Sequence, residues 1–394
     1  MDALQDHQLK KLKELLEYAY AHSEHYRRKY DAANFSPSDI RSLDDLKRIP
    51  ILTKHELLEN SSGIQIRTGP EKLFYSETSG STGKPLVFFR NKDWDAWHRA
   101  SAYRGYSWYG AKPWEYNGYF WGYDFSYKNR MKTKVLDFLQ NRFRLFTYQN
   151  EEISQFVQKL KRASFLSGYS SMIYEVAKSI NKIPNKPEFH LKVIIGTSEK
   201  IFDKYQAEVK RAFGQKIVSE YGSAEAGIIA FECPSGNMHV NMETAIVEEV
   251  DDQIIVTNLV SKSFPIIRYA LGDYIKLGTT KTCACGMHHH IINEVLGRVG
   301  KLIHGFKEQY PSLTLYYVFK NLAITHHLIV NYQAIQRKKG FLEVNLDNKL
   351  KDGDRALLDA EFLKYFGSDL AISVHEMVNL KSEHRKKADF ISDL

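Results

Sequence analysis

Apolar residues recur at helical spacing near the start of the chain. Leu9, Leu12, Leu15, Leu16 and Tyr20 fall on one stripe, which predicts an amphipathic helix over residues 7–33. Asp44, Asp45 and Pro50 then punctuate the sequence before a short helical stretch near 54–60. From there two periods alternate. Strands are predicted over 72–76 and 86–90, then helices over 93–109, 151–164 and 170–183. A short buried strand at 193–196 is followed by a helix over 203–213 and a strand over 217–220. Such alternation argues for a mainly parallel sheet flanked by helices. Between Cys233 and Leu277 the pattern becomes one of short alternating strands, a β-rich subdomain with Asp251-Asp252 at a hairpin turn. The pattern changes again near Gly297–Gly305, the best boundary in the chain. Beyond it lie a helix near 312–322, strands near 328–336 and 341–345, and a helix over 354–366. The expected fold class is therefore α/β, with a large N-terminal domain over residues 1–298 and a small α+β C-terminal domain over 299–394.

Bulk composition narrows the picture. The chain has 394 residues, 43% of them hydrophobic, enough for a large core and more than one domain. No run of 18 apolar residues is present, so no membrane span is expected. The opening residues lack a basic stretch followed by an apolar one, and three cysteines do not make a disulfide framework. Both point to a cytoplasmic protein. A net charge of +8 suits an acidic ligand, while the scattering of Lys and Arg argues against nucleic acid as a partner.

Candidate chemistry starts at Thr78-Ser79-Gly80-Ser81-Thr82-Gly83-Lys84-Pro85, placed between the two strands of 72–76 and 86–90. Glycines let a backbone turn sharply and offer N–H groups to an anion, hydroxyls donate to phosphate oxygens, and a lysine adds positive charge. The spacing is not that of the P-loop, which needs four residues between its first glycine and Gly-Lys-Ser/Thr. By itself a loop of this composition is more often a solvated turn than a phosphate cradle.

Three further segments follow: Glu220-Tyr221-Gly222-Ser223-Ala224-Glu225, Arg268-Tyr269-Ala270-Leu271-Gly272-Asp273, and Gly297-Arg298 with Lys301 three residues on. In this order the four segments resemble the core motifs of the adenylate-forming enzymes, the superfamily of acyl-CoA synthetases, adenylation domains and luciferases. The nearest branch is that of the phenylacetate–CoA ligases and their relatives associated with capsular polysaccharide synthesis. The similarity runs from about residue 26 to residue 301 and includes Ile49–Lys54, Gly168–Ser171 and Val256–Leu259.

What the resemblance implies is an ATP-dependent ligase that joins a carboxylic acid to AMP with release of pyrophosphate. Transfer of the acyl group to CoA follows, or, as the alternative, transfer to an amine such as an amino sugar or amino acid. Ser79, Gly80, Ser81, Thr82, Gly83 and Lys84 would hold the β- and γ-phosphates. Glu220, Tyr221, Gly222 and Ser223 would border the nucleotide, with Tyr221 on the adenine face, and Glu225 would hold Mg²⁺. Asp273 would accept both ribose hydroxyls, and Arg298 would lie near the ribose or phosphate. The resemblance gives Thr82, Lys84, Glu225 and a lysine near the C-terminus the catalytic roles. Aligning Phe390-Ile391-Ser392 with the closing apolar residues of the family selects Lys386 as that lysine, although the usual preceding Gly is absent and Lys387 is adjacent. Lys301 matches a hinge residue that lets a mobile small domain rotate between adenylation and thioester formation. Ala224 departs from the family, where Thr or Ser commonly precedes the Glu. With the weak lysine motif, it keeps open a non-catalytic, nucleotide-binding homologue.

The cysteines form a separate constellation. Cys233 precedes His239 by six residues, and Cys283-Ala284-Cys285 follows about fifty residues later. Three sulfurs and one imidazole suit a structural, tetrahedral Zn²⁺. His288, His289 or His290 can stand in for His239, but the Cys-Pro-Ser-Gly-Asn-Met-His stretch favours His239 as fourth ligand. Inert core thiols and a nucleophilic cysteine are the other readings. For the acyl pocket the resemblance implies Tyr123, Gly168, Tyr169 and Gly196, within a segment that also carries Trp108, Tyr109, Tyr119, Phe120, Trp121 and Phe125. Neither the acid, nor the acceptor, nor monomer against homodimer is legible.

Overall fold

The computed structural model describes residues 2–68, 72–78, 86–120, 127–145, 150–198, 201, 203–278, 282–298, 302–326, 328, 330, 332–346, 349–351, 353–377 and 390–392. Two compact units emerge. One comprises the described residues up to Thr78 and from Val87 to Arg298, and the other includes the chain from Val299 onward.

The first unit opens with two helices rather than one: α1 (Asp2–His22) and α2 (Glu24–Ala32). The continuous helix expected over 7–33 breaks at Ser23. Its backbone is extended and its hydroxyl accepts the Tyr26 N–H at 3.3 Å, capping a new helix at the point where the old one ends. Next come α3 (Lys54–Glu59), started by a Thr53/Glu56 capping box, and α4 (Ser61–Ile64). A two-stranded ribbon follows, β1 (Phe74–Glu77) and β2 (Val87–Arg90). The remaining elements are α5 (Lys92–Ser107), β3 (Asn117–Phe120), α6 (Tyr127–Leu139), β4 (Arg142–Arg144), α7 (Asn150–Leu160), β5 (Phe165–Tyr169), α8 (Ser170–Asn181), β6 (Val193–Thr197), α9 (Asp203–Phe213) and β7 (Ile217–Ser223). Six antiparallel strands complete the unit: β8 (Gly227–Glu232), β9 (Met238–Val240), β10 (Ala245–Val250), β11 (Gln253–Asn258), β12 (Ile266–Leu277) and β13 (Ile291–Arg298).

These strands make one mixed sheet of eleven, in the order β10-β11-β12-β13-β9-β8-β7-β6-β5-β3-β4. Strands β4, β3, β5, β6 and β7 pair in parallel, and all later neighbours pair antiparallel. The expected parallel part and β-rich part are thus continuous, joined where β7 pairs with β6 on one edge and β8 on the other. The two faces of the parallel half read directly from side-chain alternation. Leu166, Ile194 and Ile217 point into a core with Ile173, Val176 and Val209 of α8 and α9. Phe165, Val193, Ile195 and Val218 point the other way, toward Tyr106, Trp108 and Phe231. Helix α5 lies close on that second face because Gly105 has no side chain. A Cβ there would sit 2.4 Å from the Phe231 ring. The hairpin at Asp251-Asp252 forms as the sequence predicts, with both residues at positive φ (51° and 63°).

The second unit contains β14 (Leu302–His304), β15 (Gln309–Pro311), α10 (Leu313–His326), β16 (Tyr332–Lys338), β17 (Phe341–Leu346), α11 (Asp354–Phe366), β18 (Ala371–His375) and β19 (Phe390–Ser392). Four strands form a sheet in the order β18-β17-β16-β19. Its core gathers Leu315, Val318, Leu322, Val344, Leu358 and Phe362 from sheet and helices. Among the described residues no helix is long and apolar enough to cross a membrane.

Candidate functional site

Residues from distant segments meet at the carboxyl end of β7. Tyr221 near the end of this strand donates from its hydroxyl to Asp273 Oδ2 at 2.6 Å, across 52 residues of sequence. Strands β7 and β12 are not neighbours, so the contact is made by side chains rather than by strand pairing. The β12–β13 register then sets Arg298 directly opposite Asp273. Gly222 is the point at which β8 crowds β7. A Cβ on it would lie 2.3 Å from the Gly227 carbonyl oxygen, and the register slips between Tyr221 and Gly222. Just beyond, the Ser223 hydroxyl accepts the Ala226 N–H at 3.0 Å, which closes the turn and leaves Ala224 exposed. Glu225 is buried and accepts a hydrogen bond from the Tyr269 hydroxyl at 3.2 Å. A carboxylate is the right donor type for a hard cation such as Mg²⁺, but it supplies only a minority of the six oxygens such an ion takes.

Arg268, two residues into the same strand motif, serves the fold. Its guanidinium forms a bidentate pair with Glu248 at 2.9 Å and donates to the Ile49 carbonyl at 2.6 Å. Its φ of 46° is the strain that this pairing holds in place.

Glu220 stands apart from its neighbours in the motif. Its side chain lies on the α5 face of the sheet, the face of Val218, whereas Tyr221 alternates to the other. Register aligns Tyr169, Thr197 and Glu220 in one row across β5, β6 and β7, and Gly168 with Gly196 in the row beneath. The hydroxyls of Thr197 and Tyr106 reach the Glu220 carboxyl group. Burial without a compensating cation pushes its pKa up to about 7, against the pull of those two hydroxyls. One carboxyl oxygen, Oε2, is buried and has no hydrogen-bond partner.

On the antiparallel side, Cys233, His239, Cys283 and Cys285 converge, with all four ligand atoms within 4.8 Å of one another. Cys233 Sγ lies 3.8 Å from Cys283 Sγ, and Cys285 Sγ lies 3.3 Å from His239 Nε2. Zn–S bonds of about 2.3 Å in a tetrahedron place two sulfurs about 3.8 Å apart, so the donor set and its spacing fit Zn²⁺. The imidazole is oriented for this: His239 Nδ1 donates to the His289 carbonyl at 3.4 Å, which leaves Nε2 for the metal. His289 itself bonds Glu243 at 3.1 Å, and Arg104 of α5 pairs with the same carboxylate. Desolvation alone would raise Glu243, yet the hydrogen bonds from His289 and Arg104 bring its pKa down to about 2. Trp108 packs edge-on against His239, with the Arg104 guanidinium 5.7 Å from its ring centre.

Several expected site residues lie outside the described residues: Ser79, Gly80, Ser81, Thr82, Gly83, Lys84, Tyr123, Lys301 and Lys386. Of Arg298 only the backbone is described. In the aromatic segment, Phe120 is core, Trp108 packs on Phe231 and His239, and the Tyr109 hydroxyl donates to the Glu232 carbonyl. Tyr106 and Thr197, which sequence reasoning did not single out, reach Glu220. Their sequence signal is faint, a tyrosine late in an amphipathic helix and a threonine ending an apolar strand.

No protein-family model matches the chain. It is 25% identical over 294 residues to the protein CapK of Staphylococcus aureus, covering 68% of this chain and 62% of that protein, so it spans less than two thirds of that relative. It is 24% identical to a phenylacetate-coenzyme A ligase of Thermus thermophilus over 404 residues, covering 97% of this chain and 86% of the relative. A solved structure of 2-hydroxyisobutyryl-CoA ligase, in complex with 2-HIB-AMP and CoA in the thioesterification state, superposes with a TM-score of 0.67 at 18% identity. The match covers 99% of this chain and 89% of that one, a shared fold.

Proposed function

We propose that this chain, a member of the adenylate-forming superfamily in the branch of the phenylacetate–CoA ligases and CapK, uses ATP to activate a carboxylic acid as an acyl-adenylate and then passes the acyl group to CoA. The observation that carries the reading is the Tyr221–Asp273 contact. It joins an aromatic face and a carboxylate that can accept two ribose hydroxyls at one end of the sheet, the pairing a nucleoside requires. In the proposed reaction Tyr221 packs on adenine and Asp273 exchanges the tyrosine hydroxyl for the ribose. Ser79 to Lys84 hold the departing pyrophosphate, with Thr82 and Lys84 acting on its developing charge. Arg298, opposite Asp273 in register, lies beside the sugar or phosphate. Lys386, carried by the small C-terminal domain, offsets charge on the α-phosphate and the attacking carboxylate, and Lys301 serves as the hinge between the domain's two positions.

Two metals belong to this reading. Mg²⁺, held in part by Glu225, would neutralise phosphate charge. Zn²⁺ on Cys233, His239, Cys283 and Cys285 would be structural, since four protein ligands leave no open position. It would tie β8, β9 and the stretch before β13 into one rigid edge.

Pyrophosphate release on a panel of carboxylic acids tests the first half-reaction, and a thioester seen by mass spectrometry on adding CoA tests the second. Asp273→Ala should weaken ATP binding by tenfold or more, read by calorimetry, through loss of a charge-assisted contact to the ribose. Lys386→Ala should cripple adenylation yet leave ATP binding within about twofold, because its contact forms only in the transition state. Full adenylation in that variant would move the role to Lys387 or another residue.

A further inference from the structure

We propose that Glu220 is a specificity-determining residue for the activated acid, and that this acid carries a hydrogen-bond donor, an amine or a hydroxyl, which binds the free carboxyl oxygen of Glu220. The inference rests on the adenylation reading and names the substrate class that reading leaves open.

Three observations converge on it. The first is the unspent oxygen. Glu220 is 8% exposed, its Oε2 is buried, and that atom has no partner. A buried acceptor without a donor costs stability, and a bound ligand that donates to it recovers that cost. Among the described residues no Lys, Arg or His pairs with this carboxyl. The guanidiniums of Arg142 and Arg144 on β4 instead sit 4.0 and 4.8 Å from the centre of the Tyr119 ring.

The second observation is the company it keeps. Glu220 and Thr197 share one row at the carboxyl ends of parallel strands, a row in which Tyr169 packs instead on the α8/α9 face. Ser167 and Tyr119 pair two residues further down, on the same face, and Tyr106 reaches from α5 to both Ser167 and Glu220. Beside and below these polar groups the same face is apolar, with Ile195 and Val218 in the row of Ser167 and with Phe165 and Val193 beneath. An apolar floor beneath a few convergent polar groups, at the carboxyl ends of parallel strands, is how a doubly wound sheet receives a small ligand.

The third is position. Glu220 precedes Tyr221, the proposed adenine platform, and turns to the opposite face of the same strand. An acid whose carboxylate meets the nucleotide at the end of β7 has its other end within reach of the α5 face. Desolvation also holds the Glu220 carboxyl near neutrality, so it can accept from a hydroxyl and ionises readily against an ammonium. A plain hydrocarbon acid would leave Oε2 as it is and bury it further.

The test uses the full-length protein and matched acids that differ by one donor: phenylacetate, 4-hydroxyphenylacetate and 4-aminophenylacetate, then propionate, lactate and alanine. Pyrophosphate release gives kcat/KM for each. The wild type should favour a donor-bearing acid over its plain analogue by about tenfold or more, because a buried polar site rejects the partner that leaves it unpaired. Glu220→Leu should bring that ratio close to one. Glu220→Gln separates the donors: it should retain most of the preference for a hydroxyl and lose that for an ammonium. A wild type that favours the plain acid, or an unaltered ratio in both variants, would overturn the proposal. If Glu220→Leu does not fold, Glu220→Gln and the wild-type ratios decide. Absence of pyrophosphate release with every acid would strike the adenylation reading instead. Thermal-shift titration with the same acids then judges Glu220 alone: a larger shift for the donor-bearing acid supports it, and equal shifts overturn it.

Discussion

Helix α5 touches two carboxylates, one half-buried and one buried, and treats them in opposite ways. On the antiparallel side its Arg104 pairs with Glu243, which also holds His289, and the carboxyl is pulled down to about 2. Two residues on, its Tyr106 reaches Glu220 on the parallel side, where no described cation is in contact and the carboxyl rises to about 7. The first environment is paired in charge, although Glu243 Oε2, His289 Nδ1 and Arg104 Nε are buried without a hydrogen-bond partner. Each charge has a partner, and the chain of contacts from Arg104 through Glu243 and His289 ends on the imidazole of the Cys/His cluster. The second is left with an open valence. The difference that decides their ionisation is the cation: Arg104 stands beside Glu243, and none of the described cations stands beside Glu220.

Disturbing the side that carries the Cys/His cluster should have the largest effect. With zinc bound, Cys283→Ser, or prolonged chelation of the wild type, should lower the melting temperature by about 5 °C or more and remove the metal found by atomic emission. An unchanged melting temperature with no metal in the native protein would mean that these thiols only pack.

Next in size is the pH dependence of the open side. The folded pKa of Glu220 lies above its unfolded value, so its contribution is fully present below about pH 4.5 and is lost as pH rises through about 7. Glu220→Gln removes that slope. Relative to its difference at pH 5, the variant should gain on the order of 2–3 kcal/mol over the wild type at pH 8, measured by urea unfolding. Parallel curves across this range would show that the carboxyl has a partner in solution.

Arg104→Met sharpens the contrast with a smaller change. It strands Glu243 with His289 alone and should cost about 2 kcal/mol at pH 7, since the pair is partly shielded from water. Glu243 is depressed in the fold, so the loss should be full above pH 4.5 and fade as pH falls toward 2. A loss of the same size at pH 3 would assign it to packing on Trp108 rather than to charge.

Much of this was legible beforehand, and the reasons are local. Helical spacing located α8, α9 and α11 to within two residues, because an amphipathic stripe is a property of a short window. The hairpin at Asp251-Asp252 was legible from turn chemistry. The Cys/His set was legible because only a few residue types bind a soft cation, and the chain has three cysteines in all. Strands β3 and β4 were not, being four and three residues long and too short to show a period. The break at Ser23 was missed because the apolar stripe continues through it.

By itself the sequence determined which segments are helix or strand, the order of the motifs and the kinds of donor atom present. It could not determine that Glu220 and Tyr221, adjacent in the chain, would serve opposite faces, or that Arg104 would pair with one carboxylate while Tyr106 reached another that has no cation. Those outcomes depend on which strands become neighbours and on how closely α5 settles over Gly105. Ionisation follows the same logic. A glutamate has one composition, but its charge is fixed by the water removed and the cations retained around it, and only tertiary packing sets either quantity.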